Sequence, residues 1–126
     1  MSYEIPTEEI ENIKKSNNGI IMINHNKNVS YEYRNFKSEF DPKSMQMYVQ
    51  WFFRKDDKTL GIESILGESN SRENFRLILQ ILKSITTLKD GRRLGGNIVA
   101  SSLKKIIPQV GFTKEGNKFY LYKNKF

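Results

Sequence analysis

Cysteine is absent from the 126 residues. Its absence excludes a disulfide framework, a thiolate zinc site and a cysteine nucleophile, and suits a reducing compartment. Histidine occurs once, as His25, in a stretch (Asn24–Asn28) that reads as a turn. A transition-metal site or a Ser-His-Asp triad would rest on that residue alone, so a surface histidine and no metal are expected. Asp41, Asp56, Asp57 and Asp90 lack the spacing of a calcium loop. With three prolines, eight glycines and no linker, repeat or low-complexity tract, residues 1–126 are expected to form one domain. The longest apolar runs, Ile20–Ile23 and Leu77–Leu82 (interrupted by Gln80), fall far short of the roughly 20 residues of a membrane span. Residues 1–9 carry no basic segment followed by an apolar one, so a non-secreted, cytoplasmic protein without a membrane role is expected.

Hydrophobic residues make up 37% and charged residues 28%, a composition that supports a folded core. The charge is unevenly placed. Residues 1–74 hold 10 Lys/Arg and 12 Asp/Glu, a net of −2, whereas residues 75–126 hold 11 and 2, a net of +9. The basic half suits an acidic partner (a protein, a nucleic acid or the phosphates of a cofactor) or simply a solvated face. Arg92, Arg93, Lys104 and Lys105 are its candidate contacts.

Periodicity assigns the elements. Thr7 opens a short helix with Glu8 and Glu9 first and Lys14 and Lys15 last, the order its dipole favours. Four strands follow: Ile20–Asn24, the alternation of Val29, Tyr31 and Tyr33, Met45–Phe53, and Thr59–Leu66 after a turn at Lys55–Lys58. Residues 20–66 read as an antiparallel meander. Aromatics lie on both faces of Met45–Phe53, so its row of rings reads as core before a stacking platform for single strands. A long helix, capped by Ser69 or Ser71, runs to about Lys89 with Phe75, Ile78, Leu79, Leu82 and Ile85 on one face.

The string Asp90–Asn97 holds two arginines and three glycines, which suits a loop after the helix or a phosphate wrap, but not a P-loop or dinucleotide fingerprint. Then come a short strand from Ile98 to Ala100, a short helix Leu103–Ile107 ended by Pro108, and a hairpin of Val110–Lys114 with Lys118–Lys123. The fold class is α/β in the α+β sense: a mixed, mostly antiparallel central sheet flanked by helices.

From about residue 45 onward this order resembles the GNAT acyltransferase superfamily, most sharply at Leu103–Phe112, where a short helix ends in Gly111-Phe112 before an aromatic hairpin. The resemblance implies an N-acyltransferase moving an acetyl or longer acyl group from acyl-coenzyme A to an amine. It implies a splayed strand pairing with the pantetheine arm through Ile65 and Leu66. It implies also a phosphate loop at Ser69, Ser71, Arg72 and Asn74. That loop departs from the family pattern, because Ser69, Arg72 and Asn74 stand where Arg or Gln and two small residues are usual. Glu63 is then the candidate base, and Tyr120 or Tyr122 the acid in place of the family's tyrosine, where this chain has Ile107. The alternative is an inactive protein of the same fold, phage- or mobile-element-encoded, that binds a partner through its basic half.

Overall fold

The alternation Met47, Val49, Trp51, Phe53 against Tyr48, Gln50, Phe52 sorts side chains to two sides of one strand, and the rest of the fold is arranged around that division. A computed structural model describes residues 3–34, 41–67, 72–98 and 104–126. Its elements are α1 (Thr7–Lys15), β1 (Asn18–Ile23), β2 (Val29–Glu32), β3 (Met47–Arg54), β4 (Thr59–Gly67), α2 (Arg72–Leu88), β5 (Arg93–Gly96), β6 (Thr113–Glu115) and β7 (Lys118–Tyr122). The strands form one mixed sheet in the order β2-β1-β3-β4-β5-β7-β6. Every neighbouring pair is antiparallel except β4–β5. No described helix is long and apolar enough to cross a membrane.

The core lies on one face. Val49, Trp51, Leu60, Ile62, Ile65, Leu94 and Leu121 meet Ile13 of α1 and Phe75, Ile78, Ile81, Leu82 and Ile85 of α2. Among the described residues both α-helices pack on this face. The other face carries a smaller cluster of Ile20, Met45 and Tyr48, together with Gln50, Phe52, Glu63, Tyr120 and Tyr122.

Three expectations change. The first four strands are not a meander, because β1 lies between β2 and β3. β1 is almost wholly buried and β2 only half-buried, so β1 belongs inside the sheet and β2 at its edge. The glycine-arginine string is not a loop. Residues Arg93–Gly96 are β5, paired parallel with Thr59–Ile62 and antiparallel with Phe119–Tyr122. Neighbouring ladders on both sides hold it extended, overriding its low strand propensity. The expected strand at Ile98–Ala100 is not found at Ile98, which lies beyond the end of β5 and in no strand, and Val99 and Ala100 lie outside the described residues. Last, Lys104–Ile107 are turns and Pro108–Val110 is a 3-10 turn, so Pro108 starts a helical turn rather than ending one. A proline lacks only an N–H that a first turn leaves unpaired anyway. Gly111 then closes it in the left-handed region, φ 103°, and Phe112 enters the core.

Three hydroxyl contacts hold α1 and the segment before it against the sheet and α2. The Tyr3 and Tyr31 hydroxyls lie 2.9 Å apart, Tyr33 Oη donates to Glu9 Oε1 at 2.6 Å, and Ser84 Oγ donates to the Tyr3 carbonyl at 2.6 Å. Burial first, and then these partners, push the Tyr31 and Tyr33 phenols above the ordinary value of 10.0. Above about pH 10 the unfolded chain loses protons that the folded chain keeps, so stability is full below that pH and falls as it rises. A titration followed at 295 nm is expected to leave Tyr31 and Tyr33 un-ionised while the far-UV signal persists. Complete phenol ionisation near pH 10 in the folded protein would contradict this arrangement.

Candidate functional site

Leu60 and Ile62 face the core at a spacing of two, but the next inward residue is Ile65, at a spacing of three. The register explains the step: Trp51 pairs with Ile62 while Gln50 pairs with Ser64, leaving Glu63 as an extra residue in β4. Such a bulge bends the strand and re-aims a side chain. Here it coincides with the end of the parallel ladder, whose last pair is Ile62 with Gly96. Among the described residues, Ser64–Gly67 have a registered partner only on the β3 side, and Glu63 has none. Among the described residues the sheet thus opens into a fork from Glu63 onward. On its β5 side, alternate backbone N–H and C=O groups of that stretch have no described strand to pair with.

Glu63 stands at the crotch of the fork on the face without helices. Gln50 Nε2 donates to its Oε2 at 3.2 Å. Gln50 is buried while Glu63 is exposed, so a rigid amide orients a solvent-accessible carboxylate. Further along β4, Ile65 is buried in the core, while Leu66 is 41% exposed, large and apolar at the open end. Of this pair, only Leu66 offers its side chain to a ligand.

α2 begins beside this opening. Arg72 and Arg76 are exposed, whereas Asn74 is buried. Asn74 Nδ2 donates to Gln46 Oε1 at 3.2 Å, and Lys27 Nζ donates to both Gln46 Oε1 (2.7 Å) and Asn74 Oδ1 (3.2 Å). The asparagine at the family's small-residue position therefore turns inward and ties α2 to the β1–β2 turn, rather than facing a ligand. Lys27, at φ 69° in that turn, adds an ammonium beside the helix N-terminus and has no ion pair among the described residues. It lies 47 residues from Asn74 in sequence, so no local spacing pointed to it. Ser69 and Ser71 lie outside the described residues.

The hairpin tyrosines are both occupied. Tyr120 is buried beside Gly95, under the Arg93 guanidinium, whose carbon lies 3.9 Å from the ring centre. Tyr122 is paired with Arg93 at the closed end of the fork. Its hydroxyl donates to Glu115 Oε2 at 2.7 Å and accepts from Arg93 Nη1 at 3.2 Å. Tyr122 is thus at the wrong end of the sheet to serve Glu63, and Tyr120 is the nearer of the two along the register. Arg93 also donates to Thr59 Oγ1 at 2.8 Å and pairs with Asp57 at 3.4 Å. Its side chain, 13% exposed, is part of the sheet's own structure. Arg92, Lys104 and Lys105 are exposed.

His25 is exposed, with Nε2 2.7 Å from the accepting carbonyl oxygen of Pro42. Among the described residues no three His, Asp or Glu side chains gather as a metal ion would require.

The sequence matches no protein-family model and no curated protein. The structure is similar to the crystal structure of nourseothricin acetyltransferase, with a TM-score of 0.50 at 10% identity, covering 94% of this chain and 95% of that one. At that identity the likeness concerns the path of the backbone and not the side chains that carry out a reaction. With that likeness, the mixed seven-stranded sheet and two α-helices found among the described residues give this chain a GNAT-like α+β fold.

Proposed function

We propose that this chain is an N-acyltransferase that moves an acetyl or other acyl group from acyl-coenzyme A to an amine. The observation that carries the reading is the coincidence, at Glu63, of a bulge, an oriented carboxylate and the opening of the β4–β5 fork. The acetyltransferase likeness of the fold supports the same chemistry.

The residues present suit such a cofactor. The unpaired edge of Glu63–Gly67 matches an extended, amide-bearing chain such as the pantetheine arm, which would add to β4 as a further strand. The exposed Leu66 would pack against it. The α2 N-terminus, with Arg72 on it and Lys27 beside it, favours a diphosphate. When bound, coenzyme A supplies the acyl group as a thioester. The chain's own part is to hold the amine at the crotch of the fork and to accept, on the Glu63 carboxylate, the proton that the amine loses. Gln50 fixes the direction from which that carboxylate acts.

Calorimetric titration with acetyl-coenzyme A is the direct test. Saturable binding with a dissociation constant below about 1 mM is expected, the range in which enzymes meet their substrates. Neither heat nor a thermal shift at millimolar ligand would remove the cofactor and the reading with it. The competing reading, a non-catalytic protein that uses its basic C-terminal half to hold an acidic partner, would then stand on the exposed Arg92, Lys104 and Lys105. Arg93, committed to its own sheet, would not contribute.

A further inference from the structure

At the other end of β4, about 13 Å along the strand from Glu63, the β3–β4 turn and the C-termini of α1 and α2 enclose a concavity of about 460 Å³. It is lined by Lys14, Phe53, Lys55, Lys58, Leu88, Lys89 and Asp90. Four lysines against one aspartate give the lining a net charge of +3.

The lysines play different parts. Lys89 is structural: its Nζ donates to the carbonyls of Ile13 (2.8 Å), Lys14 (3.1 Å) and Ser16 (2.6 Å), closing the C-terminal end of α1. It also lies over the Phe53 ring, 5.3 Å from its centre. Burial first, and then the charge on Lys55, hold its pKa below the ordinary lysine value. Lys58 pairs loosely with Asp90, at 3.4 Å with both side chains largely exposed, a contact of little energy. Lys14 and Lys55 are exposed, and neither has an ion pair among the described residues. Like charges gathered in a concave site cost energy in the free protein and attract an anion. The half-buried ring of Phe53 and the side chain of Leu88 add an apolar wall.

We propose that this pocket binds a free nucleoside phosphate, its phosphates on Lys14, Lys55 and Lys58 and its planar base against Phe53 and Leu88. A volume of about 460 Å³ falls in the range of small-ligand sites, about 300–1,000 Å³. A site for inorganic phosphate alone would have no use for the apolar wall. The proposal does not depend on acyl transfer, since the pocket and the fork share no residue.

The test uses ADP, pyrophosphate and a short single-stranded oligonucleotide as probes, followed by calorimetry on the full chain. ADP is expected to bind more tightly than pyrophosphate, and both to weaken as salt rises. Lys14→Glu with Lys55→Glu is expected to weaken ADP at least about 10-fold; both residues are exposed, and a matched melting temperature checks the fold. Phe53→Leu is expected to bring ADP down to the affinity of pyrophosphate. The proposal is overturned if ADP does not bind at millimolar concentration or binds the charge-reversed variant equally well. It is overturned also if pyrophosphate matches ADP in the parent, or if the oligonucleotide binds more tightly than ADP.

Discussion

Gly95→Ala is expected to lower the melting temperature by roughly 10 °C or more, a loss of at least about 3 kcal/mol for a domain of this size. Gly95 sits in β5 at φ 145°, a conformation L-residues rarely adopt. A methyl group there would lie 2.0 Å from the Phe119 carbonyl oxygen and 2.9 Å from the Tyr120 Cα. These are backbone atoms of the neighbouring strand β7, which cannot step aside as a side-chain tip would. β5 must therefore shift, and its four residues carry the ladders to both β4 and β7. Gly116→Ala is the control. That position also has a positive φ, 67°, but nothing lies within 4 Å, so only the local backbone strain of about 1 kcal/mol is expected. Thermal melting by circular dichroism separates the two. Equal melting temperatures for the two variants would mean that β5 does not approach β7 as described.

Glu63→Gln is expected to reduce kcat for acyl transfer by about 10²- to 10⁴-fold, the usual contribution of a general base. Binding of acetyl-coenzyme A should change little. The carboxamide keeps the size of the side chain but cannot accept the amine's proton. Because Glu63 is an exposed bulge residue, the fold should melt as the parent does. The split between turnover and binding matters: a fall in affinity alone would make Glu63 a contact rather than a base. An unchanged kcat, measured as thiol release with an amine acceptor, would remove it from the chemistry.

Much of this architecture can be read from periodicity. The apolar alternation in β3 and the three- and four-residue steps from Phe75 to Ile85 each bury one face, and such patterns survive folding because the core enforces them. The bulge was not read from periodicity: Thr59–Leu66 reads as one unbroken strand, and the three-residue step from Ile62 to Ile65 takes its meaning from the pairing with β3. β5 was not, because Arg-Leu-Gly-Gly has no strand character of its own and is extended only by its neighbours. Nor was the order β2-β1-β3, which depends on which strand is buried on both sides. At the candidate site, Glu63, Leu66 and Arg72 were reached through the family resemblance and not through periodicity. The inward turn of Asn74, the approach of Lys27 and the engagement of Arg93 arise from contacts between residues far apart in sequence.

The join between the two parts of the sheet has a consequence for how the chain reaches this state. Residues 18–67 form four antiparallel strands whose pairings are mostly between near neighbours, and residues 113–122 form a local hairpin. Among the described residues the two are joined within the sheet through β5, whose pairing with β4 closes a loop from Thr59 to Arg93. Closing that loop costs chain entropy before any contact across it is gained. The N-terminal strands and the C-terminal hairpin are therefore expected to form early, with the parallel seam assembling last. On that expectation, the fork that opens at Glu63 is the end of the seam that forms last.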